Sequence, residues 1–142
     1  MGSILQKIIS RYSNIIFDFD GVIADSVQIK TRAFRQLYKP FGQNIAKKVV
    51  KHHLSNGGIS RYDKFKIYHK EFLEINLSNN EIAKLSEDFS KLVIEKVVKS
   101  EYISGAYDFI RKYYSTNKFF IVSATPQDEI REIVRLKGID QY

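Results

Sequence analysis

Asn14-Ile15-Ile16-Phe17-Asp18-Phe19-Asp20-Gly21-Val22-Ile23-Ala24-Asp25-Ser26 runs an apolar, β-branched and aromatic segment straight into two carboxylates separated by one residue. Side chains alternate along an extended segment, so Asp18 and Asp20 should point to one side and Phe19 to the other. Two carboxylates held close repel each other. Such a pair persists where a cation sits between them, or where the two take different protonation states for acid and base chemistry. Gly21 lets the backbone turn sharply and approach a ligand with no Cβ in the way. Asn14 to Phe17 therefore reads as a strand, and its lack of polar alternation predicts a strand covered on both faces, as in a parallel sheet.

Working outward, Phe119-Phe120-Ile121-Val122 repeats that pattern. Residues 18 to 118 lie between the two strands, far more than the ~30 residues of a strand-helix-strand unit, so a second structural unit is expected as an insertion. Its periodicity is helical. Ile29, Ala33, Phe34 and Leu37 mark one helix, ending near Pro40 and Gly42; Ile45, Val49, Val50 and Leu54 mark another, stopped by Asn56-Gly57-Gly58. Tyr62, Phe65, Tyr68 and Phe72 follow a capping-box pattern at Ser60-Arg61-Tyr62-Asp63, and Ile82, Leu85, Phe89, Leu92, Val93 and Val97 follow Ser78-Asn79-Asn80-Glu81. These apolar faces predict the core of a small antiparallel bundle. Ala106, Phe109, Ile110, Tyr113 and Tyr114 then mark a crossover helix into the second strand. A last helix is expected to open with Thr125 as cap and Pro126 at its first position, and to fade at Lys137-Gly138.

A chain of 142 residues, 44% of them hydrophobic and 13% aromatic, suits one ordinary domain or a small core carrying an insertion. Its apolar runs fall far short of the roughly 20 residues that span a bilayer, so no membrane is expected. The absence of cysteine rules out disulfides and thiolate zinc sites within these residues and suits a reducing cytoplasm, the expected location. The net charge of +7 is spread along helical segments and forms no block. It therefore reads as a solvated lysine-rich surface or an attraction for anionic substrates, and no nucleic-acid partner is expected. His52 and His53 are adjacent and not at i, i+4 spacing, so they read as surface or core histidines before metal ligands.

In an open parallel sheet, ligands collect at the carboxyl ends of the strands. Asp18 and Asp20 occupy that end of the first strand and Ser123 that end of the second, while the helix opening at Thr125 would offer backbone N–H groups to an anion. Carboxylates alone would repel a phosphate, so a hard cation such as Mg²⁺ is needed between them. An aspartate can then attack phosphorus to form an aspartyl-phosphate.

Asp18-Phe19-Asp20-Gly21-Val22 with Asp25-Ser26 resembles the first motif of the haloacid dehalogenase-like superfamily, and Phe120-Ile121-Val122-Ser123-Ala124-Thr125 resembles its second. The intervening helices match the helical cap of the branch that holds phosphoglycolate phosphatases and β-phosphoglucomutases, with Ile103-Ser104-Gly105-Ala106 as the return to the core. The resemblance implies an α/β fold: a partial Rossmann-like core, with parallel strands near 14–18 and 118–123, built from residues 1–25 and 101–142, and an α-helical cap bundle over 26–100. It implies that Asp18 is the nucleophile and a Mg²⁺ ligand. Asp20 would be the acid and base, and would also bind Mg²⁺ through its backbone carbonyl. Phosphoryl oxygens would meet Ser123, Ala124, Phe19 and Gly21, and an acid at position 20 argues against dehalogenation. Arg61 and Lys64, in the cap, are expected contacts to an anionic substrate, with a turn and capping box as the alternative there; Asp25, Ser26 and Thr125 read as helix caps. The expected function is Mg²⁺-dependent hydrolysis of a small phosphorylated metabolite, with sugar-phosphate phosphomutase and an inactive binding or assembly module as alternatives. The family's third-motif Lys and fourth-motif acids normally lie beyond Tyr142. The chain is therefore expected to be a shortened form of a longer protein, impaired by itself and able to self-associate through its incomplete sheet.

Overall fold

A computed structural model of the chain describes residues 4–142. Strands β1 (Asn14–Phe17) and β2 (Lys118–Ile121) pair in parallel, with Ile15 opposite Phe119 and Phe17 opposite Ile121. Seven α-helices surround or connect them: α1 (Ile4–Ile9), α2 (Val27–Tyr38), α3 (Gln43–Ser55), α4 (Arg61–Ile67), α5 (Asn79–Lys99), α6 (Ala106–Tyr113) and α7 (Gln127–Leu136). This is the α/β class expected, with two parallel strands at the expected positions.

The strands are not covered on both faces. On one face Phe17 meets Phe109 of α6 and Phe119 edge-on, with ring centroids 5.8 and 5.3 Å apart. On the other, Ile16 and Phe120 remain 66% and 49% exposed, and Val122 just past β2 is 64% exposed. The apolar pattern that predicted two covered faces thus fills only one. The short α1 carries no long apolar period, and sequence reading missed it. The Asn117 amide ties its end to β2 by donating to the carbonyls of Ile9 and Tyr12, at 3.3 and 2.6 Å.

Helices α2 to α5 pack as the periodicity predicts, α2 against α3 and α5, and α4 against α5. Phe34 of α2 is the hub, its ring centroid 4.5 Å from Phe89, 5.9 Å from Phe65 and 5.8 Å from Tyr68. The α5 capping box forms in full: Ser78 Oγ accepts from the Glu81 N–H, and the Glu81 carboxylate accepts from the Ser78 N–H at 2.8 Å. At α4 the Ser60 Oγ half forms, accepting the Asp63 N–H at 3.2 Å, while the Ser60 hydroxyl donates to the Asp63 carboxylate at 2.7 Å. The third predicted helix also changes register, continuing from Tyr68 to Phe72 as a π-helical turn.

Two cap expectations fail. Ser26 and Thr125 make no side-chain cap bond, and α7 begins at Gln127 with Pro126 as its cap residue. Their hydroxyls are used in the site described below. After α7 the backbone closes as a Schellman motif: Gly138 sits at φ 72°, its N–H donates to Arg135 at 3.0 Å, and the Ile139 N–H reaches Val134 at 3.1 Å. Lys137 then donates to the carbonyls of Val98 and Ser100 at the end of α5, at 3.2 and 2.7 Å, where a cation suits the helix dipole. Among the described residues no helix is long and apolar enough to cross a membrane.

Candidate active site

The Val122 N–H donates to the Phe17 carbonyl at 2.9 Å, the last rung of the ladder, so Asp18 and Ser123 leave the sheet from neighbouring strand ends. Between Phe19 and Ala24 the chain folds into a tight knot. The N–H groups of Ile23 and Ala24 both donate to the Phe19 carbonyl, at 2.9 and 3.1 Å, and the Gly21 N–H donates to Ala24 at 2.8 Å. Gly21 adopts φ +76°, and a Cβ there would stand 3.1 Å from a methyl of Val27, so another residue would be both strained and crowded. The knot is stapled to the segment before α6: Asp25 donates to Glu101 and Ile103 donates to Ile23, both at 2.9 Å.

This geometry sends Asp18 and Asp20 into a cavity of about 390 Å³ and buries Phe19 in the core. One Asp18 oxygen accepts the Phe19 N–H at 2.6 Å, and the side chain is otherwise open to the cavity. Asp20 is held at both oxygens, one by the Ser26 hydroxyl and the other by the Lys30 ammonium, each at 2.5 Å. Lys30 also donates to Thr125 at 2.6 Å, so a single ammonium links α2, the knot and the entry to α7. Ser26, at the cap position of α2, and Lys30 are four residues apart, one turn, and therefore face the strand end together.

Ser123, Ala124, Arg61 and Lys64 also line the cavity. Ser123 Oγ accepts the Thr125 N–H at 3.1 Å. Phe19 and Gly21, expected to meet phosphoryl oxygens, donate their backbone N–H groups to the Asp18 carboxylate and the Ala24 carbonyl. Arg61, expected to meet substrate, forms a two-pronged ion pair with Glu129 of α7 at 2.8 and 2.5 Å and donates to Ser90 at 2.8 Å. Lys64 is 2% exposed, and its ammonium lies 3.0 Å from His53 Nδ1. Burial is the larger cause, and neighbouring Lys30 the next, that lowers Lys64 from 10.5 to about 8. Burial, followed by Lys64 and Lys30, lowers His53 from 6.5 to about 4, leaving it neutral near pH 7.

Among the described residues no three His, Cys, Asp or Glu side chains gather as a metal cage. The oxygens available to a cation are the Asp18 carboxylate and the Asp20 carbonyl, to which no described backbone N–H donates; the Asp20 carboxylate is already bound by Ser26 and Lys30. That small, hard donor set fits Mg²⁺, which keeps several waters and takes one or two carboxylates plus substrate phosphate.

The sequence profile described as haloacid dehalogenase-like hydrolase matches residues 15–142. The chain belongs to the haloacid dehalogenase-like hydrolases. Among solved structures, a putative β-phosphoglucomutase from Bacteroides vulgatus aligns over 89% of this chain and 50% of its own, at 17% identity and TM-score 0.69. The putative haloacid dehalogenase-like hydrolase YfnB from Bacillus subtilis, bound to magnesium, aligns over 92% of this chain and 61% of its own, at 17% identity and TM-score 0.61. A predicted phosphoglycolate phosphatase from Haemophilus somnus aligns over 94% and 60%, at 13% identity and TM-score 0.61. At such identities the likeness concerns the fold, and the chain spans 50 to 61% of the length of these three structures. A search of curated proteins returned no significant match. Within this haloacid dehalogenase-like frame, Lys30 and Glu129 are the residues that sequence reading missed. Only the one-turn spacing from Ser26 could have pointed to Lys30, and nothing local pointed to Glu129, whose partner lies 68 positions away.

Proposed function

We propose that this chain carries the phosphoryl-transfer site of a Mg²⁺-dependent phosphomonoester hydrolase acting on a small phosphorylated metabolite. The observation that carries the reading is the pairing of an open Asp18 with an immobilised Asp20 in one cavity, beside Ser123 at the adjacent strand end. A carboxylate Oδ of Asp18 attacks phosphorus as the bond from phosphorus to the leaving oxygen breaks, and Asp20 delivers a proton to that oxygen. Asp20 then takes a proton from water, whose oxygen attacks phosphorus; the bond to Asp18 breaks and inorganic phosphate leaves. Asp18 and the Asp20 carbonyl would hold Mg²⁺, which when bound neutralises phosphoryl charge. Ser123 Oγ is within the cavity to donate to a phosphoryl oxygen, and Ala124 follows it along the wall.

Ser26 and Lys30 fix the Asp20 carboxylate between the nucleophile and α2, which supports its use as a positioned proton carrier. Release of phosphate from p-nitrophenyl phosphate with Mg²⁺ tests the reading. Asp18→Asn should abolish release, and unchanged release would remove Asp18 as nucleophile. Passage of the phosphoryl group to a second sugar-phosphate hydroxyl uses the same first step. Isomer interconversion without net phosphate release would identify that outcome.

A further inference from the structure

The positive charge forms no long run in the sequence, but the fold concentrates it. From Ser26 to Tyr62 there is no Asp or Glu, and α2, α3 and the turn between them all fall within that stretch. Arg32, Arg35, Lys39, Lys47, Lys48 and Lys51 are exposed on this hairpin, and none pairs with a carboxylate among the described residues. Glu71 and Glu74, in and just after the π-helical turn that packs on α3, leave them unpaired too. Helix α5 is built otherwise: Lys84, Lys91 and Lys99 each bridge to an acid one turn away. On the hairpin, Arg32 with Arg35, and Lys51 with both Lys47 and Lys48, stand at the spacings where like charges destabilise a helix. An external anionic surface would remove that repulsion.

The tip of the hairpin indicates which kind of surface. Between Tyr38, the end of α2, and Gln43, the start of α3, the 3₁₀ turn Lys39–Phe41 presents the Phe41 ring at 43% exposure. That ring is steadied by Tyr38 and His69, at centroid distances of 5.8 and 5.7 Å. Arg35 and Lys47 lie within ~6 Å of the helix ends along the axes, and Lys48 follows Lys47. An apolar ring surrounded by long cationic side chains matches a bilayer interface: the ring enters among acyl chains while the cations meet headgroup phosphates. A single-stranded nucleic acid would call for a row of aromatic platforms beside the cations, and the tip offers one ring. No described helix is long and apolar enough to cross a membrane, so the contact is peripheral. Val27 and Lys30 near the start of α2, and Leu54 near the end of α3, line the cavity of Asp18 and Asp20 at the other end of the hairpin. A docked tip therefore leaves that cavity clear. We infer that the α2–α3 tip docks this protein on anionic membrane surfaces, with Phe41 inserted and the hairpin cations on the headgroups.

Flotation of the full chain with lipid vesicles tests this. At low salt it should float with equimolar phosphatidylcholine and phosphatidylserine, not with phosphatidylcholine alone, and added salt should release it. Changing two exposed cations together, Arg35→Gln with Lys47→Gln, should keep the fold and weaken the partition about thirtyfold. The chain contains no Trp, so Phe41→Trp places a single fluorophore at the tip. Its emission should shift to the blue on the mixed vesicles and should not shift with single-stranded RNA or polyglutamate. Equal flotation on both lipid compositions, no flotation, an unshifted Trp on vesicles, or undiminished binding by the double Gln variant overturns the inference. Tighter binding to RNA or polyglutamate than to the mixed vesicles also overturns it, and assigns the hairpin to a nucleic-acid or acidic-protein partner.

Discussion

Asp20 has neither oxygen to itself: Ser26 and Lys30 hold one each, and Lys30 is further fixed by Thr125. If Asp20 carries the proton, the quality of that clamp sets its aim. Lys30→Met should lower the rate of phosphate release by about 10²-fold, as misplacement of a reacting group typically does. Ser26→Ala should have a smaller effect, because the Lys30 contact remains; steady-state assays of both variants check the order. The two lowered pKa values make a second residue-scale prediction. His53 has its folded value near 4 against 6.5 unfolded, so the unfolded chain takes up that proton first, and its contribution is fully present above pH 6.5 and lost as pH falls through about 4. Lys64, near 8 against 10.5, has the same sign, so stability should rise between pH 8 and 10.5. Urea unfolding across pH should show both limbs, with His53→Gln flattening the acid limb and Lys64→Met the alkaline one. That Asp18, Asp20 and Ser123 meet at neighbouring strand ends around one cavity was legible in the sequence, from the two apolar strands that run into them. Lys30 was not, since a helical lysine is ordinarily solvated and only its partners reveal otherwise.

At the scale of elements, the helices of the bundle could be read from their apolar periods, and the Ser78 capping box from four consecutive residues. What escaped were features set by distant partners. Ser26 and Thr125 look like caps, yet a buried ammonium and a carboxylate compete for their hydroxyls and win. Arg61, expected from the family resemblance as a cap contact to substrate, has its guanidinium paired with Glu129 on α7, and both side chains are only 5% exposed. This pair joins α4 and α5 to α7 through Ser90, so it locks the bundle onto the helix that follows Ser123. Removing one partner leaves the other charged and buried. Glu129→Ala should therefore destabilise by about 3–5 kcal/mol. The double change Arg61→Met with Glu129→Leu should recover most of the loss, and chemical denaturation of the single and double variants measures the difference.

For the whole molecule, the two-stranded sheet has one face packed on α6 and one face open, and the open face is apolar. Ile16, Phe120 and Val122 lie on or just beyond adjacent strands at 66%, 49% and 64% exposure, an arrangement soluble monomers ordinarily avoid. Both strands are also edges, since each pairs only with the other among the described residues, and edges offer unpaired backbone groups to any neighbouring strand. The aligned structures run well beyond the length of this chain, and the chain spans 50 to 61% of the three described above. Studied alone, the chain should therefore self-associate in a concentration-dependent manner, with the apolar strip as the contact. Phe120→Lys places a charge on that strip and on an edge, two devices that oppose strand pairing. Because Phe120 already lies about half in solvent, the change should leave the fold intact. Sedimentation velocity over a range of concentrations should show wild type shifting to larger species and the variant remaining monomeric; identical profiles for the two would assign the association, if any, to another surface.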